Sequence, residues 1–501
     1  MNIEIHQIRE PLLEFGKGAT GVDPKVMLTQ AGPFATDKSS PTTEVTCGLV
    51  GLPHEIGPIR NWVARMHTHL VCNENNALRY REFPGMESAY HSTIRIEERF
   101  VCTLDADRYE RLAAESSSTA FTGLLDFYSE AITAFFGDER PDCILVAFPP
   151  KLAELRISNS RLSFAERTIL ERLENEDEAN QLVLFKPTEA EKRLAAELLP
   201  QAEELLFRNF HRALKARCMS APNPVPLQIL TRQTYIADEA KQSEATRAWN
   251  LATALYYKAG KIPWRPSGLA KSTCFVGLSF HHLKRRSGDL VYASVAQAFS
   301  TEVEPFTLKG ASVRHDQVTV DKRPYLNEAQ AADLVQRVLK KYQTMAGETP
   351  ARLVIHKTSH YEPGELAGFR GTALSTVASC DLIWLAPTGF RLLRRGMQPP
   401  ARGTLCKLGE QKHYLFTTGY VDWWKEYPGP HIPAPLEIGA ANETDILERS
   451  REILMLTKMS WNNAEGMSRF PITISFARRV GMIMTELEEE VLPNPLFRFY
   501  I

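Results

Sequence analysis

Apolar positions in the first hundred residues come in short pieces punctuated by Gly and Pro, without a helical period, and predict strands and loops. From residue 106 the pattern changes. ADRYERLAAE opens a helical stretch that runs to about Phe136, and CILVAFPP at 143–150 is an unbroken apolar run of the kind a strand buried on both faces requires. A charged helical region containing ENEDE follows. Next comes a helical segment from PTEAEK, where Thr188 and Glu191 have capping-box spacing and Pro200 interrupts the period. VPLQILT predicts another strand, and a helix from about Ser243 to Lys258 is stopped by Gly260 and Pro263. This alternation over 106–262 predicts a parallel α/β unit.

GKIPWRPSG has the punctuation of a linker. Beyond it, STCFVGLSF and DLVYASVAQAF predict two strands joined across RRSG as a hairpin. Further strands are expected at 352–357 (RLVIHK), 380–387 (CDLIWLAP) and 470–477 (FPITISFA), with helices at 328–345, 444–458 and 477–490. Residues 263–501 therefore predict a second, mixed α/β unit, and 1–105 a β-rich segment packing on the two.

Composition narrows the class. With 501 residues, 44% hydrophobic and 24% charged, the chain has enough apolar material for several cores, which excludes wholesale disorder and fibrous folds. The eight cysteines form no CxxC pair and no Cys/His cluster at zinc spacing, and Cys143 and Cys274 sit in apolar runs as core residues do. MNIEIHQIREPLLEF carries charges where a signal peptide needs an apolar stretch, and nothing approaches the ~20 apolar residues of a membrane span. A soluble, cytoplasmic chain with no membrane partner is expected.

The formal net charge of -1 appears at first to disfavour a polyanionic partner, but the charge is unevenly spread. Residues 206–289 hold 14 Lys and Arg against 4 Asp and Glu, a local net of +10 that leaves -11 for the remainder. A basic block at the junction of two units is the footprint of a polyanion; the alternative is a solvated basic face or one meeting an acidic partner. Within it, His211 and Lys215 are four apart and share a helical face, Gln233 follows a strand, and Lys258 closes a helix. Together they offer a stacking ring, two ammonium groups and an amide, the groups that single-stranded nucleic acid and its terminal phosphate require.

The ordered series CILVAFPP, LTRQTYIA, AWNLATALYYKAGKIPW, STCFVGLSF, LVIHKTSHY and SWNNAEGMSRFPITISFA resembles the MID and PIWI domains of prokaryotic Argonautes. The opening EPLLEFG resembles that of the family's short members, and no stretch remains for a PAZ domain. The resemblance implies an α/β fold: a Rossmann-like MID domain at 106–262, an RNase H-like PIWI domain at 263–501, and the N-terminal segment packed on them. It also implies that His211, Lys215, Gln233 and Lys258 grip a guide's 5'-phosphate and that Asn250 lines the pocket. A Mg²⁺ ion beside the phosphate is implied as well, with the carboxylate of Ile501 and Gln233 as ligands.

Slicing by such a fold needs about four acidic or His ligands for two metal ions. Aligned on the family's motifs, the cutting positions hold Ser279, Thr358 and Arg478, none of which binds Mg²⁺. The chain is therefore expected to have no catalytic residues of its own; a rearranged site using Asp289 or His281 is the alternative. The resemblance implies a guide-RNA-loaded sensor of single-stranded DNA. Its partner would be an APAZ-containing effector with a NAD-depleting TIR or SIR2 domain, acting in anti-plasmid or anti-phage immunity. Two other readings stand beside it: an independent guide-dependent nuclease, and an α/β enzyme acting on a phosphorylated small molecule, although GxGxxG, Walker A and nucleophile-elbow patterns are absent.

Overall fold

A computed structural model describes residues 2–34, 42–153, 156–157, 208–270, 272–283, 291–301, 303–313 and 323–487 (except 394, 397 and 430), with 317, 319, 491 and 494–501. The acidic ENEDE region and the Thr188/Glu191 capping box lie outside these residues, as does the RRSG turn.

Four parallel strands form the first sheet, in the order Ser92–Thr103, Thr43–Gly51, Cys143–Phe148, Leu227–Thr231. Every residue of Cys143–Phe148 is buried, and the period of two divides them between two cores. Ile144, Val146 and Phe148 pack under helices Ala106–Ala113, Ser117–Thr133 and Phe210–Met219. Cys143, Leu145 and Ala147 face helices Pro53–Arg65 and Glu244–Lys258. A strand covered on both sides has no polar face to show, which is why its sequence reads as a continuous apolar run. Two of the four strands precede residue 106, so the sheet spans the expected division there; Arg95, Glu97 and Arg99 pair along the exposed edge strand and break up its apolar signal. The helix expected from 106 to 136 is two, separated around Ser116.

Nine strands form the second sheet, in the order Ile3–Gln7, Thr404–Leu408, Lys412–Leu415, Leu436–Ala440, Ser379–Pro387, Arg352–Lys357, Thr273–Leu283, Val291–Phe299, Phe306–Val313. Its centre is parallel (Thr273–Leu283 with Arg352–Lys357, and that strand with Ser379–Pro387), and Val291–Phe299 returns antiparallel on Thr273–Leu283 as the hairpin reading required. FPITISFA, expected as a strand, instead opens one helix, Ile472–Met484, that also takes up part of the helix expected at 477–490. Pro471 stands at its N-cap, and Ile472, Phe476, Val480 and Ile483 recur at spacings of four, four and three, a buried stripe that overrides the β-branched local preference.

That helix lies directly on Gly277. A Cβ at Gly277 would stand 2.1 Å from the Thr473 carbonyl oxygen, so only glycine admits this approach. Gly277→Ala is expected to destabilise the chain by about 1–3 kcal/mol through overpacking, seen as a lowered thermal midpoint. An unchanged midpoint would show that the helix moves freely on the sheet.

The N-terminal segment joins the linker to the second sheet and the helix that follows it. Leu13–Glu14 pairs with Arg265–Pro266, and Glu10 accepts from Arg402 (3.0 Å) and Lys458 (2.9 Å). Burial alone raises the Glu10 pKa, but the two cations outweigh it and hold the carboxyl below its ordinary value.

Candidate nucleic-acid 5'-end site

Helix Phe210–Met219 begins at Asn209, whose side chain caps the Arg212 amide (3.3 Å). It turns Lys215 inward, while His211, one turn earlier, is exposed with its ring edge-on to Phe148. Lys258 arrives from the last turn of Glu244–Lys258, a helix capped by Ser243 on the Thr246 amide (3.2 Å). Lys215 is 5% exposed and Lys258 1%. The Lys215 ammonium donates to the main-chain oxygen of Ile501 (2.6 Å), and that of Lys258 to Gln228 Oε1 (2.5 Å).

The electrostatics are unusual for an interior. Desolvation of its imidazole, then the charges of Lys215 and Lys258, lower the His211 pKa well below its ordinary value, although the residue keeps an exposed surface. Burial and the neighbouring charges of Lys258 and Arg479 likewise push Lys215 well down, and Lys258, lowered mainly by burial, reaches about 8. Arg479 enters from helix Ile472–Met484 and bears on all three, its own pKa lowered by burial. Among the described residues no side-chain carboxylate pairs with any of the four. Buried cations without anions are costly, and a phosphate entering here relieves that cost.

The sequence-derived residues do not all converge. Gln233 is exposed on the short helix Arg232–Tyr235, while Gln228, two positions into the strand Leu227–Thr231, meets Lys258. A lone polar residue in the otherwise apolar LQIL was the available signal. Asn250 accepts from the Ala464 amide (3.3 Å) and so fastens the second unit to the first. Arg479 was missed because it comes from the other end of the chain. Nor is the basic block a single face: Arg217 pairs with Asp126, Arg232 with Glu239, and Arg247 lies over Trp62.

A divalent ion is poorly served by these protein groups. The Ile501 oxygen already faces an ammonium, Gln233 is exposed, and Lys258 and Arg479 add positive charge. Its ligands would have to come largely from a bound phosphate.

At the other proposed centre, pairing of Leu278 with Lys357 ends the parallel register just before Ser279, within its strand, and Thr358, the residue after its own. Lys357 is buried against Glu365 (2.5 Å), whose carboxylate also accepts from the Leu326 and Glu362 amides. The Arg478 guanidinium stacks on Phe470, 4.6 Å from the ring centre. Asp289 falls outside the described residues; His281 lies on Thr273–Leu283 opposite Ala293. Among the described residues no three His, Cys, Asp or Glu gather as a metal site, and no helix is long and apolar enough to cross a membrane.

No family model matches the chain, and no curated protein matches it. Its structure is similar to that of Clostridium butyricum Argonaute bound to a guide DNA and a 19-mer target DNA (TM-score 0.59, 17% identity, 100% of this chain and 55% of that one). It is also similar to Drosophila Piwi (TM-score 0.57, 13% identity, 99% and 56%) and to A. aeolicus Argonaute (TM-score 0.53, 14% identity, 98% and 54%). The chain spans about half the length of these proteins. At such identities the likeness speaks to architecture, and the four-stranded parallel sheet followed by the nine-stranded mixed sheet matches it: the chain has the MID–PIWI fold of Argonaute proteins.

Proposed function

We propose that this chain is a short Argonaute, a guide-loaded sensor that does not itself cut. The observation that carries the reading is the buried pair Lys215 and Lys258 beside half-buried Arg479 and exposed His211, a group of cations that calls for an anion and meets no side-chain carboxylate among the described residues. A 5'-phosphorylated guide RNA supplies it. The guide's bases then select a single-stranded DNA by pairing, while the protein reads backbone. Gln228 orients the Lys258 ammonium, and Asn250 keeps the PIWI half, with Arg479, against the MID half. A Mg²⁺ ion at the guide's 5' end would supply further positive charge there.

The cleavage positions support silence. Ser279 and Thr358 offer hydroxyls where two-metal chemistry needs carboxylates, and the nearby Glu365 is taken up by Lys357. The output would then lie in a cytoplasmic partner chain, an APAZ protein bearing a TIR or SIR2 domain whose NAD consumption stops the invaded cell. With 5'-phosphorylated guide RNA and a complementary labelled DNA strand, the purified chain is expected to retain the DNA on a filter. It should yield no shortened product in Mg²⁺ or Mn²⁺. Guide-dependent product would favour an independent nuclease, and absence of DNA retention would sink the sensor reading.

A further inference from the structure

The strand Ile3–Gln7 is one edge of the nine-stranded sheet, and its inner side pairs with Thr404–Leu408. The Ile8 amide donates to the Gly403 oxygen (2.9 Å) and the Gly409 amide to the Asn2 oxygen (2.9 Å). Antiparallel pairing alternates, so residues 2, 4, 6 and 8 carry the inward ladder and the N–H and C=O of Ile3, Ile5 and Gln7 point outward. No described strand pairs with that outer side. Ile3 and Ile5, on one face of the strand, are 59% and 58% exposed. Soluble sheets usually blunt such an edge with charges, Pro or a bulge; IEIHQ has no Pro or bulge, and its one carboxylate, Glu4, pairs with His6 on the face opposite Ile3 and Ile5.

A groove of about 880 Å³ continues from this edge along residues 5–11, between that segment and helix Ile446–Leu456. Its wall holds a self-compensated cluster: Asp381 accepts from Arg352 (2.5 Å) and Arg449 (2.9 Å), and Glu452 accepts from Arg352 (2.6 Å). On the rim Arg9 is exposed and has no acidic partner among the described residues.

We infer that this edge and groove receive an extended segment of a partner polypeptide, added as a further strand. Its alternate apolar side chains cover Ile3 and Ile5, and a carboxylate meets Arg9. The ladder specifies an extended backbone, the isoleucines its alternation, and Arg9 the charge. A second copy fits less well: a two-fold axis through Ile5 pairs five residues per chain and leaves the groove beside residues 8–11 empty. That contact falls well short of the ~800 Å² per partner of a stable interface. The inference deepens the partner half of the function proposed above and is independent of its guide half.

The test uses the full chain and a synthetic peptide of alternating isoleucine and threonine ending in glutamates. Amide hydrogen exchange at Ile3, Ile5 and Gln7 should be fast in the free chain and slowed by the peptide. Ile5→Pro removes an outward donor while leaving the inward ladder, a substitution edge strands tolerate. It should weaken peptide binding roughly tenfold, about one hydrogen bond, with the thermal midpoint retained; a lysine-ended peptide should bind more weakly than the glutamate-ended one. Peptide that leaves these amides unprotected would overturn the proposal. So would protection already present in the free chain, whether independent of concentration (its own segment) or dependent on it (a second copy). Guide binding measured in the same samples reports separately on the guide reading.

Discussion

Replacing Lys215 and Lys258 together by alanine lowers affinity for a 5'-phosphorylated guide RNA roughly 100-fold or more, and for the 5'-hydroxyl guide by less than about threefold. Each ammonium is buried, so each bond to a phosphate oxygen is charge-assisted and little screened, worth about 1.5–3 kcal/mol; two of them exceed the ~2.7 kcal/mol of a hundredfold change. The contrast between the two guides isolates the phosphate, because base and sugar contacts are common to both. The truncations also leave the Ile501 oxygen and Gln228 Oε1 without their lysine donors, so the thermal midpoint of the variant is measured beside its affinity. Fluorescence anisotropy with both guides measures the ratio. Equal losses for the two would mean that this cluster is not the 5'-end site.

How much of this was readable in advance follows from which interactions are local. The strands Cys143–Phe148, Leu227–Thr231 and Arg352–Lys357 and the helix Glu328–Ala346 announce themselves by period, and their register follows from burial. The strand reading of 470–477 failed because ITISFA alternates locally, whereas the contact with Gly277, nearly two hundred residues away, decides its state. The same holds for the site. His211 and Lys215 share a helical face, and i,i+4 spacing is sufficient to place them together. Gln228 and Arg479 join Lys258 only through sheet pairing and domain docking, which no spacing rule contains. Charge counting marks out residues 206–289, but the structure divides their charges between different surroundings. Arg217 and Arg232 are paired with acids on the surface, whereas Lys215 and Lys258 are buried with no side-chain carboxylate beside them among the described residues.

That imbalance gives binding a distinctive pH dependence. Affinity for the 5'-phosphate is expected to be nearly flat well below pH 8 and to fall above it, by roughly 15-fold between pH 8 and 9.5 if one proton is involved. In the anion-free chain burial, aided by Arg479, holds the Lys258 pKa at about 8, so above that pH the amine is neutral. A bound phosphate dianion favours the ammonium and raises its pKa, so binding at pH 9 must take up a proton. Lys215, depressed by burial and by Lys258 and Arg479, adds to the uptake. Folding responds in the opposite sense. The unfolded lysine stays protonated to near its ordinary 10.5 while the folded one does not, so raising the pH from about 8 towards 10.5 removes a cost that Lys258 imposes on the anion-free fold. Phosphate cancels that gain by restoring the charged form. Titration calorimetry at pH 8.5 in two buffers of different ionisation enthalpy should show net proton uptake for the 5'-phosphorylated guide and none for the 5'-hydroxyl guide. Equal heats in the two buffers would mean that the lysines are already charged in the free chain, and that the cluster owes its stability to an anion of the fold's own.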